Sequence, residues 1–111
     1  VGPYVQAIGT EEFVFTSGQI PLNPENGELV TEISAAARQS LNNIKAILEE
    51  SGSSLDKVIK CTVFLADIND FAAVNEVYKE FFDEHKPARS AIQVAALPLG
   101  ASVEIEAIAS L

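Results

Sequence analysis

The stretch KVIKCTVFLAD, residues 57–67, carries apolar or β-branched side chains on both of its alternating sets: Ile59, Cys61, Val63 and Leu65 on one, Val58, Thr62 and Phe64 on the other. A strand over 58–65 with two such faces must be covered twice. That requirement excludes an isolated hairpin and constrains everything else the chain can become.

The rest of the sequence supplies few covering elements. Residues 12–20, EFVFTSGQI, place Phe13 and Phe15 on one side and Val14 and Thr16 on the other, which is strand alternation. Residues 21–29, PLNPENGEL, are loop chemistry. Over 31–51 the apolar residues Ala37, Leu41, Ile44 and Leu48 recur at helical spacing, and Gly52 stands where a left-handed C-terminal cap belongs. Phe71, Val74, Tyr78 and Phe81 repeat the helical pattern, with Asp67 or Asn69 as N-cap and Pro87 beyond the end. Strands over 90–97 and 102–109 follow, with PLG between them as a hairpin turn. The order is β-α-β-α-β-β, with room for a further N-terminal strand. The class is α+β, a sheet with two helices on one face. Two helices cover only one face, so a homo-oligomer that packs bare sheet faces together is expected.

Composition narrows the function. One hundred and eleven residues make a single domain, residues 1–111. Sixteen acidic against seven basic residues give a net charge of −9, the wrong sign for a nucleic acid or an anionic membrane surface. No apolar run approaches the roughly twenty residues that cross a bilayer. The single cysteine, Cys61, excludes an internal disulfide and suits a reducing, cytoplasmic compartment. The sequence begins at Val1 without an initiator Met, and a segment before it is expected to be missing.

Few residues are placed to do chemistry. Arg89, in KPARSAIQV, follows Pro87 at the head of a strand, so its planar fork is aimed and suits a carboxylate; the alternative is a surface ion pair with one of the many acids. Glu104 and Glu106, in SVEIEAIA, emerge on one strand face about 6.6 to 6.8 Å apart, where each hinders the other's ionisation. One of them serves as a base or holds a water, unless this is simply a wet strand face. Tyr4, Ser17 and Asn75 offer hydrogen bonds, or satisfy turns and caps. His85 is read as a structural residue in the last turn of the second helix, and Cys61 as core. No phosphate loop, metal-spaced histidine pair or nucleophile elbow is present, so no cofactor and no metal is expected.

Taken in order, GPYVQAI, FTSGQIPLNP, KCTVFLADINDFAAVNEVY, PARS and VEIEAIA resemble the RidA/YjgF family of reactive-intermediate deaminases over nearly the whole chain. The resemblance implies a chorismate-mutase-like fold assembled as a homotrimer, with sheets forming a central barrel and clefts between subunits. It implies cofactor-free hydrolysis of enamine and imine acids, 2-aminoacrylate/2-iminopropanoate and 2-iminobutanoate, to 2-oxo acids and ammonia. Arg89 would bind the substrate carboxylate and Glu104 the attacking water. Tyr4, Ser17 and Asn75 would line the cleft, and the Ala91 backbone would meet the substrate nitrogen. Two positions depart from the family pattern: Ala91 stands where many members carry Cys, and Leu99 where a basic residue is usual. The alternative within the family is a trimer that binds small metabolites or regulates a partner without catalysis.

Overall fold

The computed structural model describes residues 4–111, so Gly2 and Pro3 of GPYVQAI lie outside the described residues. Strands β1 (Ala7–Gly9) and β2 (Phe13–Thr16) precede helix α1 (Ile33–Glu50). Strand β3 (Val58–Leu65), helix α2 (Phe71–Phe81), strand β4 (Ala88–Gln93) and strand β5 (Val103–Ser110) follow. The strands form one mixed sheet in the order β1-β2-β5-β3-β4, in which only β3 and β4 run parallel. The further N-terminal strand is therefore β1, within the chain itself.

Helix α1 buries Ala37, Leu41, Ile44 and Leu48, the residues whose spacing predicts it. Its N-cap is Glu32, whose carboxylate accepts from the Ser34 and Ala35 amides. Those two bonds hold the Glu32 carboxyl below its ordinary pKa. At the other end Gly52 takes φ +89°, and the Ser53 amide reaches back 2.8 Å to the Leu48 carbonyl, a Schellman closure. Leu41, Ile44 and Leu48 are fully buried against Val14, Val63 and Ile105 of the sheet. Truncating Ile44 to Ala would cost about 2–5 kcal/mol.

Three sequence expectations are corrected. The tail strands do not form a hairpin, because β3 lies between β4 and β5. The β3-α2-β4 unit is a crossover that lays β4 parallel on the outer side of β3. Strand β5 takes the centre because Val103, Ile105, Ala107 and Ala109 are all buried, whereas mostly exposed β4 suits an edge. The second correction is in β3, whose register shifts between Val58 and Lys60. Val58 thereby joins Cys61, Val63 and Leu65 in the core, while Ile59 is left 46% exposed. Thirdly, α2 ends at Phe81, so His85 lies beyond it, with its Nε2–H donating to the Val58 carbonyl beside that bulge. Asp67 caps the short 3₁₀ turn before α2, accepting from the Asn69 amide.

Both helices pack on the face that carries Val14, Cys61, Val63 and Ile105. Across the opposite face, cross-strand neighbours align Ile8 with Phe15, Phe15 with Ile108, and Phe64 with Ile92. Among the described residues no helix covers this face, and Ile8, Phe15 and Ile92 remain exposed.

Candidate functional site

Strand pairing decides where the two candidate charges point, because directly paired residues share a face of the sheet. Arg89 pairs with Cys61, whose side chain lies in the core under the helices. Glu104 pairs with Phe64, three residues on and hence on the opposite face. With β3 between their strands, roughly 10 Å of sheet separates them as well. One chain cannot bring both groups to one small molecule.

Each group instead has its own cleft. Tyr4, Ser17 and Glu104 line one of about 360 Å³, walled on its apolar side by Ile20, Leu22 and Pro98. The segment after β2 builds it. The Gln19 amide donates to the Ile105 carbonyl at 2.7 Å, the Ile105 amide returns a bond to the Gln19 carbonyl at 3.1 Å, and the Ser17 amide reaches the Gln6 carbonyl at 2.7 Å. The Ser17 hydroxyl donates to the Val5 carbonyl, leaving its lone pairs as acceptors. Gln19 Nε2 bonds Gln6 Oε1 at 2.8 Å along the rim. Burial raises the Glu104 carboxyl above its ordinary pKa, and neighbouring Glu106 raises it further. Glu106 pairs with Thr62 on the same sheet face but does not line the cleft.

Asn75 and Arg89 line the other cleft, of about 330 Å³, between α2 and the start of β4. Arg89 Nη1 donates to Asn75 Oδ1 at 2.8 Å. The guanidinium carbon stands 4.7 Å from the Tyr78 ring centre and 5.2 Å from that of Phe71. Among the described residues no carboxylate pairs with it; the ion pairs are Arg38–Glu80 and Lys79–Glu76. A neutral amide and two aromatic faces thus hold the fork without cancelling its charge. Lys79 and Lys86 line the same cleft, so three of the seven basic residues gather there in a chain of net charge −9. Beneath, the Tyr78 hydroxyl is buried without a hydrogen-bond partner of good geometry. Burial pushes the neighbouring Cys61 thiol up to about 11, which keeps it protonated and inert as a core residue.

The sequence candidates therefore fall into two sets: Tyr4, Ser17 and Glu104 together, and Asn75 and Arg89 together. Ala91 lines neither cleft; it sits two residues along β4 from Arg89, its side chain against the core. Sequence reasoning missed the aromatic shelf, although Phe71, Asn75 and Tyr78 at helical spacing of four and three carried the signal. It also missed Gly18, whose position beside Glu104 depends on a long-range strand pairing.

Comparison with known proteins agrees with this architecture. The family model described as Endoribonuclease L-PSP matches residues 1–111. The 2-iminobutanoate/2-iminopropanoate deaminase of Escherichia coli K12 is 51% identical over 98% of this chain and 88% of its own. The crystal structure of E. coli TdcF with bound serine superposes with a TM-score of 0.96 at 53% identity, covering 100% of this chain and 90% of that one. The YjgF gene product of E. coli gives 0.95 at 50% identity, covering 99% and 89%. The mixed five-stranded sheet with two helices on one face is thus the fold of those structures, and the chain belongs to the RidA/YjgF family, whose relatives include named reactive-intermediate deaminases.

Proposed function

We propose that the protein hydrolyses 2-imino acids, and the enamines that tautomerise to them, to 2-oxo acids and ammonia, in clefts shared by neighbouring copies of the chain. The observation that carries the reading is Arg89: a fixed guanidinium with no acidic partner among the described residues, in a strongly acidic chain, beside an open cleft. A permanent charge left uncompensated suits a small anion, and a relative half identical in sequence is named for that chemistry. The serine bound to TdcF has the same elements, a carboxylate beside a carbon that bears nitrogen.

The chemistry follows from the two half-sites. Arg89 of one copy holds the substrate carboxylate with the N–H donors that Asn75 leaves free. Glu104 of a neighbour takes a proton from water as its oxygen attacks C2. The C–N π bond becomes a lone pair on nitrogen, and the proton passes to that nitrogen. The new hydroxyl then gives up its proton by way of the same carboxylate to the amine nitrogen, and as the C=O bond forms the C–N bond breaks and ammonia leaves. A carboxyl whose pKa is raised is better matched to both proton transfers than an ordinary one. Tyr4 and Ser17 flank the water side, and main-chain groups at Ala91, on edge strand β4, are the ones that would meet the substrate nitrogen. The protein supplies orientation and a few kcal/mol of electrostatics to an already electrophilic carbon, without a cofactor or metal.

A homotrimer is the assembly we infer, as the family resemblance implies: the split of Arg89 and Glu104 calls for a neighbouring copy, and packing copies sheet to sheet covers Phe15, Phe64 and Ile92. Among the described residues no helix is long and apolar enough to cross a membrane, and the cytoplasm is the compartment we infer from the lone buried thiol. We read no RNA role, despite the family model's description, because three of the seven basic residues line a small cleft and the net charge is −9.

The test adds purified protein to a pyridoxal-phosphate dehydratase acting on serine or threonine and follows 2-oxo acid formation ahead of spontaneous hydrolysis. Acceleration that vanishes in Arg89→Ala supports the reading. Undiminished acceleration by that variant overturns it.

A further inference from the structure

Gly18 is not a glycine by backbone need. The described glycines with positive φ are Gly27, Gly52 and Gly100, and Gly18 is not among them. What it lacks is room: a Cβ there would lie 2.5 Å from Glu104 Oε2, 2.8 Å from Cδ and 3.1 Å from Cγ. The backbone cannot retreat, because the adjacent Gln19 is tied to Ile105 by two main-chain hydrogen bonds of 2.7 and 3.1 Å and Ser17 is tied to Gln6. The Glu104 side chain can, since its far end turns about free χ angles. A methyl group at 18 would therefore leave the fold standing and swing the carboxylate out of place.

We propose that Gly18 is a positioning residue for Glu104: its bare Cα is the floor on which the carboxylate rests, and it sets the point to which the attacking water is held. The inference rests on the deaminase reading given above, and it adds a residue that acts only through another. A displacement of about 1 Å is enough to cost an active site around a hundredfold, so the effect on rate should greatly exceed the effect on stability.

The experiment compares Gly18→Ala, Glu104→Gln and the double variant by kcat/KM in the coupled dehydratase assay, with thermal unfolding and the acidic limb of the pH profile as second readouts. Gly18→Ala should lose about tenfold or more in kcat/KM, unfold near the wild-type temperature, and move the acidic limb of its residual activity. The double variant should be no slower than Glu104→Gln alone, because a floor has no effect once the carboxylate is gone. Multiplied losses in the double variant, near wild-type activity in Gly18→Ala, or a Gly18→Ala chain that fails to fold would each overturn the proposal, the last because it shows that the side chain does not give way. Glu104→Gln with full activity would bring down the deaminase reading together with this one, whereas a slow Glu104→Gln beside an active Gly18→Ala would bring down this one alone.

Discussion

Mixing two inactive chains should restore activity, by an amount that the sheet geometry fixes. Arg89 and Glu104 of one chain face opposite sides of the sheet with β3 between them, so on the proposed reading a working cleft takes its arginine from one copy and its glutamate from another. Arg89→Ala chains keep the glutamate half, and Glu104→Gln chains keep the arginine half. In an equal, random mixture half the arginine positions and half the glutamate positions are intact, so about one cleft in four carries both, whatever the number of copies in a closed ring. The mixture, prepared by co-refolding or by co-expression with two affinity tags, should therefore show about a quarter of the wild-type rate per cleft, while each variant alone accelerates 2-oxo acid release little or not at all. Subunits mixed without exchange give the baseline. A co-refolded mixture, shown by the two tags to contain mixed assemblies, that stays as inactive as its parents would refute the division of the site between copies.

Glu104→Gln should stabilise the protein at neutral pH. The folded-state pKa of Glu104 lies above its ordinary 4.5, so its charge is disfavoured by folding. That penalty is absent below the unfolded pKa and complete above the folded one. The gap in unfolding temperature between variant and wild type should accordingly open as pH rises from about 4.5, and a constant or closing gap would contradict it. Tyr78→Phe removes a buried hydroxyl without a partner of good geometry and should leave stability unchanged or higher in a thermal melt. Tyr78→Leu removes an aromatic face under Arg89 and should weaken substrate binding by about 0.5–1 kcal/mol, a two- to fivefold rise in KM. Leu99 sits at φ +58° and is 61% exposed; Leu99→Asn, better suited to that conformation, should gain up to about 1 kcal/mol in chemical denaturation.

Much of the fold was legible because it is written locally. Helix α1 follows from the spacing of Ala37, Leu41, Ile44 and Leu48 and from the stop at Gly52, and the common face of Glu104 and Glu106 follows from strand parity alone. What the sequence withheld is partnership. PLG announces a turn at residues 98–100, but only long-range pairing decides that β4 goes outside β3 and β5 inside it. The bulge that moves Val58 into the core likewise reflects its β5 partner, not its own pattern. The candidate site shows the same division. Arg89 stands out as one of two arginines, yet its aromatic shelf, its lack of an acidic partner and its separation from Glu104 all depend on contacts between distant elements.

Strand β5 is last in chain order and yet is the spine of the sheet, with β2 on one flank and β3 on the other. Until residues 103–110 have left the ribosome, the nascent polypeptide holds two sheet fragments with unsatisfied inner edges, and it must be kept from pairing with its neighbours. Maturation of the domain thus waits for its last strand. Because Glu104 rides on that same segment, a product that stops short of residue 103 would lose its architecture and the carboxylate of the Tyr4 and Ser17 cleft in one stroke.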